Sequence, residues 1–254
     1  LILLYAEMSI VSLILIAVPL AIAPGVGLCL FIYFRDKFEK EPFRLLKNSF
    51  LLGALSIVPA IIIEVLITKL GIDDNQGFLI TMIYAFVVVG VTEEGCKYFV
   101  LRKYIFPKPE FNEPFDGIVY SMMISMGFAT VENIFYVIGS GIGTAVLRMF
   151  TAVPLHAVCA VILGYYAGRA KCSGSMFRNI ILGFSLAVFV HGLYDFFLFQ
   201  KNIPALGILS FVALGVSIGL SFVAINKHQK NSPFRKNLAG NVVVEERDNP
   251  AENS

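Results

Sequence analysis

Long apolar runs separated by short polar loops constrain this chain more than any other feature. Such runs fall at about 8–34, 49–70, 78–101, 116–138, 148–168, 180–199 and 204–225, and each is close to the 20 or so residues that cross a hydrocarbon core as a helix. In lipid every backbone N–H and C=O must find a partner within its own segment or in a closed barrel. The run lengths select helices. The expected fold is therefore all-α, a polytopic membrane helical bundle of about seven transmembrane helices. Composition agrees, with 57% hydrophobic residues, 15% charged residues and a mean hydropathy of +0.78. In a chain of 254 residues, these spans leave no room for a separate soluble domain of ordinary size, so any chemistry is expected in or beside the bilayer. The expected organisation is one helical domain over 1–226 and a polar, disordered tail over 227–254.

The loops alternate in basic content. Arg35, Lys37, Lys40, Arg44 and Lys47 fall in the 35–47 loop; Arg102, Lys103 and Lys108 in 102–115; Arg169, Lys171 and Arg178 in 169–179. By contrast 71–77 holds only Asp73 and Asp74, and 139–147 holds no charge. The positive-inside rule then places the amino terminus outside and the carboxyl terminus in the cytoplasm. A formal charge of +2, with no basic tract interleaved with aromatics, argues against nucleic acid as a partner. The four cysteines show no C-x-x-C spacing and read as small apolar residues. Ala21-Ile22-Ala23 has the small-x-small form of a signal-cleavage site, but Pro24 follows and no basic residue precedes the run, so cleavage is not expected.

Against this background the ionisable residues inside the runs stand out, because each costs about 2.5–3.5 kcal/mol at a helix centre on insertion scales. Glu93 and Glu94 are adjacent, and Lys97 lies within reach of both at i+4 and i+3. One lysine neutralises one glutamate, and two close carboxylates sharing a cation are pushed toward different proton affinities, an acid and a base from identical side chains. Phe128, Glu132 and Tyr136 share one helix face, with Asn133 beside them. His191 and Asp195 are again i and i+4, a spacing that suits a carboxylate orienting an imidazole or two ligands of one metal. His156 follows Pro154 by two residues, where a proline is expected to open the helix. Glu64 stands alone and is expected to snorkel or to pair with Lys69. No phosphate-binding glycine loop, H-E-x-x-H or G-x-S-x-G is present. The depths of Glu93 and Glu132 match only if the third helix continues toward Pro107, through Tyr104-Ile105-Phe106.

Taken together, Glu93-Glu94-Gly95-Cys96-Lys97, Phe128-Ala129-Thr130-Val131-Glu132-Asn133 and His191-Gly192-Leu193-Tyr194-Asp195 resemble the E-E-x-x-K, F-x-x-x-E-N and H-x-x-x-D signatures of the PrsW family of intramembrane proteases. The resemblance also takes in Asp36-Lys37-Phe38-Glu39-Lys40-Glu41-Pro42 and Glu113-Pro114-Phe115-Asp116-Gly117-Ile118-Val119-Tyr120, and so spans about 35–195. The family is distantly similar to the CAAX-processing proteases, which commonly carry histidine where this chain has Glu132. The resemblance implies hydrolysis of a peptide bond in a single-pass membrane protein, with site-one cleavage of an anti-sigma factor toward the outer face of the bacterial plasma membrane as the family role. Carried over, the catalytic set is Glu93, Glu94, Glu132, His191 and Asp195, supported by Lys97, Asn133 and His156. Two mechanisms fit it. In one, Glu93 or Glu94 is the base, Glu132 assists, and His191, positioned by Asp195, donates to the oxyanion without a cofactor. In the other a zinc ion is held by Glu132, His156, His191 and Asp195. A proton-coupled transporter or channel using the same residues is the alternative from another class, and a scaffold with a purely structural polar cluster is the third.

Overall fold

The computed structural model describes residues 13–74, 77–172, 174–200 and 204–234, and all regular structure within them is helical. In chain order the helices are α1 (Val18–Arg35, entered through a π-helical stretch, Leu13–Ala17), α2 (Phe43–Leu55), α3 (Ile57–Lys69), α4 (Phe78–Ile83), α5 (Val91–Val100), α6 (Pro114–Phe150), α7 (Ala152–Cys172), α8 (Met176–Leu198) and α9 (Gly207–Lys230). Two further π-helical stretches, Tyr84–Gly90 and Leu101–Ile105, extend α4 and α5 into one rod over Phe78–Ile105. Among the described residues, six segments are long and apolar enough to cross a membrane: Leu15–Arg35, Phe43–Lys69, Phe78–Ile105, Pro114–Cys172, Met176–Leu198 and Gly207–Lys230. The protein is thus a helical membrane bundle.

The fourth segment, of 59 residues, contains two of the expected apolar runs and doubles back on itself. Gly141 adopts φ +82°, a left-handed conformation open to glycine at little cost, and Thr151 leaves helical geometry at the next break. Pro154 sits in the first turn of α7, where its missing N–H costs little, so it starts this helix rather than opening it. The antiparallel return of α7 along α6 is tight. A Cβ on Gly117 would stand 2.3 Å from the Gly164 carbonyl oxygen, and one on Gly168 would stand 2.0 Å from that of Pro114. Small residues let helices approach in lipid, where van der Waals packing and not water exclusion holds them together.

α6 is the central post. Every residue from Phe115 to Thr130 is buried, and α7, α2 and α1 pack around it. Its amino end is capped reciprocally: Asp116 Oδ2 accepts from the Asn112 N–H (2.9 Å) and the Glu113 N–H (2.8 Å). On the outside, large apolar side chains such as Leu66, Phe99, Leu147, Val216 and Leu220 are exposed, as a lipid-facing surface requires. The helix through Glu93 runs on to Ile105, as the depth argument needed. α2 begins at Phe43, earlier than the expected 49, so the basic loop shortens to 36–42. α9 continues four residues past the expected boundary at 226, and residues 235–254 of the expected tail lie outside the described residues.

Candidate active site

Four helices bring the intramembrane ionisable residues to one place. α5 carries Glu93, Glu94 and Lys97 on its buried face. The π-helical stretch before it packs against α8, and Gly192 makes that approach possible: a Cβ there would lie 2.6 Å from the Phe86 ring and 2.9 Å from the Phe86 Cα. The close contact carries His191 and Asp195 to the two glutamates. α6 presents Glu132 and α7 presents His156, whose carbonyl accepts from the Ser125 hydroxyl (2.8 Å).

Lys97 is the hub on α5. Its Nζ donates to Glu94 Oε1 (2.8 Å), Glu93 Oε2 (3.2 Å) and His156 Nδ1 (2.9 Å), and lies 4.3 Å from the centre of the Phe128 ring. An ammonium has no lone pair, so His156 Nδ1 is the acceptor, and the ring proton belongs on Nε2. That nitrogen donates to Glu132 Oε2 at 2.8 Å. His191 Nδ1 donates to Glu94 Oε1 at 2.9 Å, while its Nε2 faces Asp195 Oδ2 at 3.3 Å and Glu93 Oε2 at 3.8 Å. The two imidazoles meet edge to face, 5.3 Å between centroids.

Each histidine therefore has a carboxylate on its outer nitrogen, Glu132 for His156 and Glu94 for His191. The inner nitrogens, His156 Nδ1 and His191 Nε2, stand 4.0 and 3.8 Å from the same oxygen, Glu93 Oε2. Metal-ligating histidines carry this outer carboxylate, which fixes the tautomer and raises ligand basicity. Glu93, His156 and His191 form one group whose ligand atoms are close enough for a shared ion, and Glu94, Cys159 and His191 form another. Donors bound to one tetrahedral zinc at ~2.0–2.1 Å lie about 3.3 Å apart, so the first group fits after small movements. Lys97 Nζ competes for His156 Nδ1. Of the ligands expected from sequence, Glu132 lies on the far side of the His156 ring, and Glu93 faces both inner nitrogens. Asp195 stays beside His191 Nε2.

Glu93, Glu132, His156, His191 and Asp195 all line a cavity of about 710 Å³. Glu94 and Lys97 are absent from this wall, and at 1% and 2% exposed they sit behind it. The two adjacent glutamates are thus distinguished by their surroundings. The same wall includes Glu64, Tyr84, Thr144 and Leu198, at the end of the bundle whose loops hold the fewest basic residues, the end expected from sequence to lie outside.

Three participants escaped the sequence reading. Arg148 reaches Glu132 Oε2 with NH2 (2.8 Å) and Asn133 Oδ1 with Nε (2.7 Å), and stacks 3.8 Å from the centre of the Tyr136 ring. Its signal was a lone cation at the head of an apolar run. Glu64, expected to snorkel or to pair with Lys69, lines the cavity, and its Oε1 is buried without a hydrogen-bond partner. Cys159, read as a small apolar residue, lies buried among Glu94 and His191.

Comparison with known proteins gives a consistent result. Residues 41–224 match the model of a family described as PrsW family intramembrane metalloprotease. The chain is 37% identical over 182 residues to Protease PrsW of Geobacillus kaustophilus, covering 71% of this chain and 79% of that protein. It is 37% identical over 179 residues to Protease PrsW of Bacillus subtilis, covering 70% and 80%, and 33% identical over 208 residues to Protease PrsW of Halalkalibacterium halodurans, covering 82% and 93%. No solved structure matches the chain. The transporter alternative receives no support from these comparisons.

Proposed function

This chain belongs to the PrsW family of intramembrane metalloproteases, a multi-pass intramembrane peptidase of the bacterial membrane, and from that premise we propose that the cavity bounded by Glu93, Glu132, His156, His191 and Asp195 is where it cuts a membrane-anchored polypeptide. The observation that carries the reading is the pair of histidines, each held by an outer carboxylate and each directing its inner nitrogen toward Glu93.

Glu93, His156 and His191 are the residues that would hold a metal, with Asp195 adjacent, and zinc suits this nitrogen and oxygen donor set. Bound there, zinc supplies Lewis acidity and lowers the pKa of a coordinated water to about 7. The chain's own residues have separate duties. Glu94 and Glu132 orient the imidazoles, Lys97 neutralises the glutamate pair, and Asn133 holds Arg148 against Glu132. Asp195, on the cavity wall beside His191 Nε2, holds the proton released by the attacking water and passes it to the leaving amide nitrogen, a duty that falls to Glu93 only where Glu93 does not hold the metal. Arg148, also on the wall, places a fixed positive charge where the carbonyl oxygen becomes negative.

The position of the cavity near the outer end of the bundle supports site-one cleavage close to the outer face. We assign an anti-sigma factor, a single-pass membrane protein, as the substrate. The test is co-expression with such a protein. Wild type yields a shortened product, and Glu93→Gln yields none while inserting normally; cleavage by Glu93→Gln at the wild-type rate refutes the assignment. Chelation of the purified enzyme, with metal content measured alongside, addresses zinc separately. Activity is expected to fall with metal content and to return on adding zinc, whereas full activity at no measurable metal removes zinc and leaves the peptidase assignment standing.

A further inference from the structure

At the opposite end of the bundle from the polar cluster lies a second cavity, about 800 Å³, between the last turns of α7 and α9 and the segment leading into α6. Arg169, Lys171, Lys227 and His228 lie in its wall, and no carboxylate does. Cations in the last turn of a helix ordinarily complement its carboxyl-terminal dipole, but the Lys171 Nζ is engaged outside its own helix, donating to the carbonyls of Phe106 (2.6 Å) and Lys108 (3.5 Å) in the 106–113 loop. Arg169 and Lys227 instead flank the Tyr165 ring at 5.9 and 6.0 Å. The nearest acidic residues of the 112–116 turn are turned to other work, Asp116 capping the backbone at Asn112 and Glu113, and Glu113 accepting from the Ser232 hydroxyl.

His228 supplies an independent observation. It is 2% exposed and stacks on Tyr165, 4.1 Å between centroids at 26°. Its Nδ1 donates to the Pro114 carbonyl at 2.8 Å, which leaves Nε2 buried and without a partner. A buried polar atom on a cavity wall calls for a partner. An oxyanion seated between Arg169 and Lys227 favours a second proton on the ring, and Nε2 then donates into the cavity while Nδ1 keeps its bond to Pro114.

We propose that this pocket binds a phosphate group, carried by the headgroup of an anionic lipid. The shared chemistry is an oxyanion meeting two cations and an imidazole. The lipid source follows from place: the pocket lies at the ends of two membrane-spanning segments, on the side that the basic loops assign to the cytoplasm, where basic pockets between helices meet anionic headgroups.

The test uses the full chain, purified in detergent and stripped of lipid, titrated with phosphatidylglycerol, phosphatidylcholine or inorganic phosphate and followed by native mass spectrometry. Phosphatidylglycerol is expected to bind in preference to phosphatidylcholine. Arg169→Gln and Lys227→Gln are each expected to weaken it about fivefold, and Arg44→Gln/Lys47→Gln, exposed cations elsewhere, to leave it unchanged. Melting midpoints without lipid separate lost binding from misfolding; if Arg169→Gln does not fold, Lys227→Gln carries the test. Equal binding of both lipids, or equal losses from Arg44→Gln/Lys47→Gln, overturns the pocket. Inorganic phosphate binding that shows the Arg169 and Lys227 dependence, with none for phosphatidylglycerol, overturns the lipid source.

Discussion

Glu132 Oε2 accepts from His156 Nε2 and forms an ion pair with Arg148, whose NH2 lies at the same distance, 2.8 Å. Four carboxylates in the cluster, Glu93, Glu94, Glu132 and Asp195, face two permanent cations, Lys97 and Arg148. The charge balance is therefore sensitive to either cation. Replacing Arg148 by methionine leaves Glu132 without its strongest partner in a low-dielectric site, a change that costs about 3–5 kcal/mol when the pair is buried. Arg148→Lys keeps the charge but not the fork that serves Glu132 and Asn133 together, so its loss is smaller. The expected order of melting midpoints is wild type, Arg148→Lys, Arg148→Met. Pairing Arg148→Met with Glu132→Gln should restore much of the midpoint without restoring cleavage. A melting curve for Arg148→Met that overlays wild type would show that the pair carries no stability. The three local motifs made Glu93, Glu94, Glu132, His191 and Asp195 legible because each is a short i, i+4 pattern against an apolar background. Arg148 and Glu64 were not, since a lone charge has no spacing to read: Arg148 meets Glu132 only through the turn at Gly141, and Glu64 reaches the cavity only through the packing of α3.

At the scale of elements, the decisive contact is α8 against the π-helical stretch before α5. A π turn adds a residue to the helical circuit and commonly marks a functional site; here it ends at Gly90, three residues ahead of Glu93. Nothing in Tyr84-Ala85-Phe86-Val87-Val88-Val89-Gly90 announces it, because a continuous apolar run looks the same whichever way the backbone bonds. Gly192 is where this packing can be tested without touching an ionisable group. Alanine there places a methyl 2.6 Å from the Phe86 ring and 2.9 Å from its Cα, and the backbone atom cannot swing aside. Overpacking of this kind costs about 1–3 kcal/mol, and the displacement moves the neighbouring His191 away from Glu94. Gly192→Ala is thus expected to lose cleavage activity more steeply than stability, as read from product formation beside a melting curve. Unchanged turnover would mean that the His191 to Glu94 distance is not critical. The sequence anticipated helices in these places from their length and composition; the return of α7 along α6 depends on one left-handed glycine in a stretch, Gly139-Ser140-Gly141-Ile142-Gly143, whose several glycines do not reveal which one turns.

For the molecule as a whole, α6 links two buried polar regions, the intramembrane cluster around Glu132 and a second one where the 36–42 and 113–120 segments meet. Tyr120 donates its hydroxyl to Glu41, Ser232 donates to Glu113, and Gln229 donates to the Arg35 carbonyl. These bonds tie the end of α1, the start of α6 and the exit from α9 together. Asp36 is enclosed among them with both carboxylate oxygens buried and unpartnered. Burial, then Glu113, pushes its pKa up to about 7, with Asp116 and Glu39 adding to the rise and Lys40 opposing it. Burial also raises Glu41 to about 7, against the bonds from Tyr120 and Asp116. Unfolded carboxyls titrate near ~4, so between about pH 4 and 7 the folded chain holds protons that the unfolded chain releases. Stability from these groups is complete below about pH 4, declines as the pH rises, and is gone above about 7. Asp36→Asn removes the charge that the fold disfavours. It is expected to leave the melting midpoint near pH 4 almost unchanged and to raise it at pH 8, so that the variant's profile is flatter than that of wild type across this interval. Parallel profiles for the two proteins would mean that Asp36 is already ionised and compensated at neutral pH, and that the junction of the two segments is held by Tyr120, Ser232 and Gln229 alone.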